Sequence, residues 1–494
     1  MRFVNRVKEF IMNVLKTYAK KEFNVNLPSS AMMEAAQSIW QQIITGHPYW
    51  LSGDQDIRTI NFAKFLCQYT AKKTCLDLKV SVSGSERAKY IDKCISRMIS
   101  KSIRDKVEDA CGLGGIILKP SGTYNPSGAI DYVMPGNFVV TEKDNNGVIL
   151  GAIFIDRIIR GSDYYTRLEY HHFVQMNTLM ENTEELKRVY VIENRAYKSS
   201  HKDSLGRMIS LTNVSEWAAI QPQLTISNVE KVLFAYFKMP YNNTIDYDSP
   251  EGVALFVNCI EELRDLDIAW SMKGNEVEDS KHITFIDENR ITKADTKNKG
   301  LRTKMKLPRF VQGLRQGVDE TNTVHEHVAT LLTGDRITDI NSILSMISTK
   351  AGFSQGQFVL DRKTGMVTAT QIESDDSETV ETIMDVRAAL QSAVRDLIYA
   401  LDKYCDIFFD MPSGYVNALD EEVADEDIFY FKDLMSTFEQ DRARALQLMT
   451  QGVYSKKKYL IEYEGFDENE AEKMLAEAAA ENNAAHKDGL FDEE

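Results

Sequence analysis

The chain has 494 residues, 43% apolar and 27% charged, with a formal net charge of −16. That length bounds it to about two to four domains, and the apolar share supports large cores and excludes general disorder. Its 74 acids against 58 Lys and Arg oppose the basic balance usual in a high-affinity nucleic-acid binder, so a soluble acidic protein is expected. The six cysteines (Cys67, Cys75, Cys94, Cys111, Cys259 and Cys405) show no CxxC and no zinc-like His spacing. They read as reduced, partly buried thiols of a protein made in a cytoplasm. No apolar run approaches the ~20 residues of a membrane span.

Residues 1–21 are basic and amphipathic, with Phe3, Val4, Val7, Phe10, Ile11, Val14 and Leu15 on one helical face. Glu9 and the lack of a cleavage site favour a packed helix over a transit peptide or a membrane-surface helix. The pattern stays helical to about residue 110, broken at Pro28-Ser-Ser30 and Gly46-His-Pro48. Ser83-Gly-Ser85 introduces a helix carrying Ile91, Ile95, Met98 and Ile103. The period then changes to two. Segments 113–118, 129–133, 138–141 and 148–155 read as strands, separated by short Pro-, Ser-, Asn- and Gly-rich turns. Segments 164–174 and 188–193 extend them into an antiparallel meander.

Gly252 opens a helix with Phe256, Ile260, Leu263 and Trp270 on one side, lasting to about Gly274. From residue 276 to about 330 the character changes. Lys281, Arg290, Lys293, Lys297, Lys299, Arg302, Lys304, Lys306 and Arg309 face only Asp287, Glu288 and Asp295 as acids among residues 281–309. Short strands and loops are expected there, a small basic insert between two helices. The return helix, Ile337 to Lys350, leads into a loop at 351–367. A long helix follows, from about Thr370 to Phe409, with apolar positions Ile383, Val386, Leu390, Val394, Leu397, Leu401, Tyr404 and Phe408 spaced by three and four. Thr370 with Glu373, or Thr368 with Gln371, reads as its capping box. At about 1.5 Å per residue it would run roughly 60 Å, too long for the inside of one compact domain.

Acidic, strand-like residues follow to Phe431. The next helix, Met435 to Gln451, stops at Gly452, and another starts near Ser455. Asp467 with Glu470 caps a further one. Residues 477–494 read as a frayed or disordered acidic end.

Local motifs offer no catalytic constellation. Cys111-Gly-Leu-Gly-Gly115 leads into a strand and reads as a tight turn, not a dinucleotide loop. His325-Glu-His327 and His171-His172 lack a third metal ligand and read as surface or satisfied histidines. The acidic runs at 375–376, 420–422 and 425–427 read as solvated faces. GxSxG, HExxH and Walker A patterns are missing. No catalytic residue, metal or cofactor is expected. The basic insert is either a solvated loop or a contact for a phosphate backbone or an acidic partner.

The order of parts nevertheless resembles tailed-bacteriophage portal proteins, most closely those of long-tailed phages of Gram-positive bacteria. Supporting stretches are Ile39-Trp40 to Gly46 with Trp50, Cys111 to Pro120, Gly151-Ala-Ile-Phe154, Ala351-Gly-Phe-Ser-Gln-Gly-Gln-Phe358 and Ser455-Lys-Lys-Lys458. The most specific is Thr368-Ala-Thr-Gln-Ile-Glu-Ser374, where relatives tend to carry Thr-Ala-Thr-Glu-Val and Gln371 here replaces the acid. The resemblance implies an α+β portal fold: a mixed α/β wing, a two-helix stem, a small α/β clip, a tunnel loop before a long wing helix, and a helical crown. Laid on this chain, the wing is 1–249, the stem 250–275 and 332–350, and the clip 276–331. The tunnel loop is 351–367, the long helix and second wing part 368–431, the crown 432–480 and an acidic tail 481–494.

It further implies a non-enzymatic homo-oligomeric ring at one capsid vertex of the virion, assembled in the host cytoplasm and twelve-fold when complete. Double-stranded DNA passes through it without sequence preference. Its partners would be the terminase large subunit, a head-completion or adaptor protein, and the capsid and scaffolding proteins, with no membrane. Arg362 and Lys363 would touch DNA. Arg290, Lys293, Lys297, Lys299, Arg302, Lys304, Lys306 and Arg309 would meet partners or neighbouring subunits. Two other classes stay open on the residues alone: a metal-dependent DNA-processing enzyme built on acidic clusters, and a cytoplasmic oligomeric scaffold.

Overall fold

A computed structural model describes residues 15–25, 30–51, 57–180, 183–279, 283–287, 292–294, 302–304, 311–314, 324–327, 331–360, 377–432, 434, 438–468 and 470–478. The expected Met1–Lys21 helix is thus seen only over 15–22 (α1), and the capping boxes at 368–373 lie outside the described residues. Helices and sheets are mixed, at 48% helix and 19% strand, so the chain is α+β. It divides into two compact units, Met1–Phe431 and Lys432–Glu494.

The N-terminal part is helical because its polar starts cap apolar stripes. Ser30 Oγ accepts the Met33 N–H at 3.1 Å and starts α2 (Ala31–Ile44), whose Trp40 is buried. After α3 (Phe62–Thr74) and a short strand β1 (Lys79–Val80), Ser85 caps α4 (Glu86–Lys101) through the Ala88 N–H. Helix α5 (Ile103–Leu113) ends at Gly114, which has φ +89°. A Cβ there would stand 2.3 Å from the Gly252 carbonyl oxygen, so only glycine fits. The Gly-rich motif is therefore a helix stop that feeds a strand.

Strands β2 (Gly115–Pro120), β3 (Ile130–Val133), β4 (Phe138–Lys143), β5 (Ile149–Arg160), β6 (Asp163–Met180), β7 (Thr183–Ser199), β8 (Arg207–Ile209), β9 (Gln223–Ile226) and β10 (Ala235–Lys238) follow. They form two antiparallel sheets. One runs β4-β5-β6-β7-β8 with β9 also on β7, and the other runs β10-β2-β3. Alternation sorts the faces. Ile153 and Ile155 of β5, with Leu168 and Tyr170 of β6, pack under Leu15 and Ala19 of α1. Ala152 and Phe154 point the other way, into a core with Ile117, Val133 and Phe234.

On that second face β6 places Glu169 and His171 where apolar residues would be expected. Glu169 accepts from Lys119 Nζ at 2.8 Å, sits 3.1 Å from Arg167 and 2.8 Å from His171 Nε2. His171 Nδ1 lies 2.9 Å from the Tyr190 hydroxyl, which accepts the Leu233 N–H at 3.0 Å. A carboxylate can only accept, and the Tyr190 oxygen already takes one proton from Leu233. Burial favours the neutral ring, and a neutral ring that donates Nε2–H to the carboxylate accepts at Nδ1 from Tyr190. Burial would raise the Glu169 pKa, but Lys119, Arg167 and the His171 hydrogen bond hold it well below the ordinary value. Burial lowers that of His171 despite Glu169.

The chain continues with α6 (Ile260–Asp279) and with strands β11 (Ile283–Asp287), β12 (Thr292–Ala294), β13 (Arg302–Lys304), β14 (Val311–Leu314) and β15 (Val324–His327). Helices α7 (Thr333–Lys350), α8 (Ser377–Phe408) and α9 (Asp425–Ile428) follow, and β16 (Phe429–Tyr430) pairs antiparallel with β1. The expected start of α6 at Gly252 is corrected to Ile260, after a 3-10 turn at Val257–Cys259. Residues 252–256 are held instead by tertiary bonds, with the Leu255 N–H on the Cys111 carbonyl at 2.8 Å. Described α8 has 32 residues, about 48 Å.

The second unit holds α10 (Phe438–Thr450), α11 (Lys456–Glu462) and a helix at 468–478, where residue 469 is not described. Gly452 follows α10 with φ +77°. The capping box is present: the Glu470 N–H donates to Asp467 at 2.7 Å and the Asp467 N–H to Glu470 at 3.4 Å.

The buried His171 sets a pH dependence. Its folded pKa lies below the ordinary 6.5, so below that pH the unfolded chain binds more protons and stability falls with acidification. Below the ordinary 4.5 of a glutamate, Glu169 adds a second loss of the same sign. Each group contributes up to ~1.4 kcal/mol per pH unit. In urea unfolding between pH 6.5 and 4.5, His171→Gln should show a shallower slope than wild type. Equal slopes would refute the assignment.

Candidate functional site

The region from α6 to α8 combines a helical pair, a basic insert and a loop in front of the longest helix. Helices α6 and α7 are antiparallel, with ion pairs at both ends. Lys350 meets Glu262, and Arg336 Nε meets Glu276 at 3.1 Å, so partners fourteen residues apart on one helix answer partners fourteen apart on the other. Leu263 and Leu266 of α6 and Ile340, Leu344 and Ile347 of α7 are all buried. Asp267 anchors α6 to the segment before α3, accepting from Trp50 Nε1 at 2.9 Å and the Ile60 N–H at 3.0 Å. Trp270, Val277, Leu331, Leu332 and Met346 keep a third or more of their surface exposed.

The insert carries two small sheets. In one, β11 lies between β14, parallel to it, and β15, antiparallel to it. The other pairs β12 with β13, with Lys293 opposite Thr303, Lys304 opposite Thr292, and Arg302 opposite Ala294. Lys293, Arg302 and Lys304 thus fall in one two-stranded ribbon. Arg290, Lys297, Lys299, Lys306 and Arg309 lie outside the described residues, as do Arg362 and Lys363. His325 and His327 lie on β15.

Described residues anchor the chain on either side of residues 361–376. After α7, Gly352 takes φ +78° and its carbonyl accepts from Thr382 Oγ1 of α8. Ser354 and Thr379 form a reciprocal clasp. The Ser354 N–H donates to Thr379 Oγ1 at 3.0 Å, the Thr379 N–H to Ser354 Oγ at 3.1 Å, and the two hydroxyls are 3.0 Å apart. Both residues are buried. Phe353 and Phe358 stack edge-on against α3, where Phe358 sits 5.7, 5.7 and 5.3 Å from Phe62, Phe65 and Tyr69. Gln357 Nε2 donates to the Tyr69 hydroxyl at 2.9 Å, and the Leu360 N–H to Asn341 Oδ1 at 2.8 Å.

The sequence marks a break after Lys350 but not this clasp, since Ser and Thr carry no partner information until the chain has folded. Repeated Phe353, Phe358, Phe62, Phe65 and Tyr69 were the available signal.

Of the acidic runs, 375–376 lies outside the described residues, and Asp420 and Asp425 have structural partners. Asp420 accepts from the Tyr415 hydroxyl at 2.8 Å and from the Glu422 N–H at 3.0 Å, and Asp425 accepts from Arg395 Nε at 2.7 Å. Among the described residues no group of three or more His, Cys, Asp or Glu is placed to hold a metal ion. No described helix is long and apolar enough to cross a membrane. Phe353 is fully buried and Met346 is 51% exposed. Phe353→Ala should therefore lower unfolding stability by about 3–5 kcal/mol and Met346→Ala by no more than ~0.5, read from urea midpoints; equal losses would refute the packing. No protein-family model matches the chain, and no curated protein matches it.

Proposed function

We propose that this chain is a portal protein of a tailed bacteriophage: a ring-forming conduit for double-stranded DNA and a docking platform for terminase and head-completion proteins. The observation that carries the reading is the order of elements. A sheet-rich part precedes α6, a small basic insert with its own sheets, the antiparallel return helix α7, a non-helical run at 351–360, and then a described helix of 32 residues. Sequence stretches that resemble the portal family fall along the same order.

Charge agrees with a conduit. A protein that neutralises ~6–10 phosphates loses orders of magnitude in affinity as salt rises, so each firm contact is worth a great deal. Twelve subunits that each held one or two phosphates would trap the duplex. A wall that lets DNA slide must be acidic or sparsely basic, and a net −16 per chain is consistent with such a wall. Arg362 and Lys363 supply positive charge in the loop, and the basic insert meets partners or neighbouring subunits.

Native mass spectrometry and negative-stain microscopy of the purified chain should show rings of about a dozen subunits with a central hole. Monomers or dimers with Mg²⁺-dependent cleavage would overturn the proposal in favour of an enzyme, and filaments in favour of a scaffold. In a packaging assay, Arg362→Ala with Lys363→Ala should change packaging rate or DNA retention and weaken the salt response. Wild-type values for all of these would remove the loop from DNA contact.

A further inference from the structure

One cleft of the Met1–Phe431 unit carries charge that its own walls do not balance. Its volume is about 540 Å³, within the ~300–1,000 Å³ usual for small-molecule sites. Helix α2, the end of α5, the turn at Pro135–Asn137, β5, Lys202 and Lys16 of α1 border it.

Three cations line the cleft, Lys16, Arg157 and Lys202, against two acids, Glu34 and Asp109. Asp109 is taken by Lys106 Nζ at 2.9 Å. Lys20 and Glu251, which also feel Lys16, add one charge of each sign. A positive surplus therefore remains. Lys16 is only 4% exposed, so water screens its charge poorly.

Arg157 is held in place before any ligand arrives. Its guanidinium lies over the Tyr164 ring, 4.7 Å from the centroid, and Nη2 donates to the Lys202 carbonyl. Its Nε is buried with no hydrogen-bond partner, and burial outweighs Tyr164 and Asp203 in lowering its pKa. A guanidinium has five N–H donors and cannot shed its charge. One that is stacked, desolvated and short of acceptors is suited to an incoming oxyanion. Ile159 and Leu113 add apolar surface to the same cleft.

We propose that this cleft binds a small organic phosphate, its phosphate on Arg157, Lys202 and Lys16 and its organic body against Ile159 and Leu113. A phosphomonoester suits the surplus better than a monocarboxylate, because it carries about −1.5 to −2 charges at pH 7. A bare phosphate would leave most of the volume to water. The assignment does not rest on the portal reading.

Isothermal titration of the full chain with adenosine monophosphate, glucose 6-phosphate, adenosine and inorganic phosphate tests it. At least one phosphate ester should bind, about tenfold or more tighter than inorganic phosphate, and adenosine should not. Lys202→Gln, which keeps the backbone carbonyl under Arg157, should weaken that ester about tenfold, and Arg157→Gln should weaken it further. Glu34→Gln, which removes an opposing acid, should tighten it several-fold. A role in folding alone predicts no such change of sign. No binding of either ester would overturn the proposal, as would wild-type affinity in both Lys202→Gln and Arg157→Gln. Inorganic phosphate binding as tightly as the esters would remove the organic body, and adenosine binding as tightly as its monophosphate would remove the phosphate; each overturns the assignment. If Arg157→Gln does not fold, Lys202→Gln and Glu34→Gln decide it by their opposite signs.

Discussion

A helix about 48 Å long cannot be stabilised by its own hydrogen bonds, and α8 has to be held along its whole length. Its buried stripe, from Ile383 through Leu390 and Leu397 to Tyr404, supplies the hydrophobic part. Arginines fix its rotation and axial position. Buried Arg87 of α4 reaches Asp402 at 3.1 Å and also Asp406 and the Met411 carbonyl. Arg387 holds the end of α3, and Arg395 binds Asp425 together with the Ala418 and Val423 carbonyls. Each guanidinium reaches two or three acceptors at once, which a lysine with one ammonium point could not do in the same geometry.

These attachments make α8 the common reference for elements far apart in sequence. Tyr404 and Ala400 complete the core beneath Tyr190 and Ile192, which joins the helix to the large sheet. The Glu169–His171–Lys119 network joins that sheet to the smaller one. Removing Glu169 takes from Lys119 and Arg167 the buried carboxylate they share, and breaking a buried pair in this way costs about 3–5 kcal/mol. The two sheets and the long helix are therefore locked in one unit by polar groups as well as by apolar packing.

Much of this was legible in the sequence, because period follows burial. The stripe of α8 was legible at Ile383, Val386, Leu390, Val394, Leu397, Leu401 and Tyr404, all buried; Phe408, at the end of the helix, is 46% exposed. The meander was legible too, but β6 and β7 run on to Met180 and from Thr183. The run 175–187 has no clean alternation to mark it, and its strands are defined by backbone pairing with each other. His171 looked like any histidine, since a satisfied buried tautomer is defined by Glu169 and Tyr190 and not by its neighbours in the chain. The start of α6 was misplaced because contacts between residues 252–255 and the end of α5 outweigh local helix preference.

The end-to-end ion pairing of α6 with α7 has an evolutionary consequence. Glu276 meets the Leu332 N–H across 56 residues of sequence, and Lys350 meets Glu262 across 88. The excursion between the two helices leaves and re-enters at one place, so a change in its length acts on that pair through closure entropy. Doubling the length of such an excursion costs only ~0.6 kcal/mol. The insert can thus grow, shrink or change its charge as its surroundings change, while the helices that carry it keep their register.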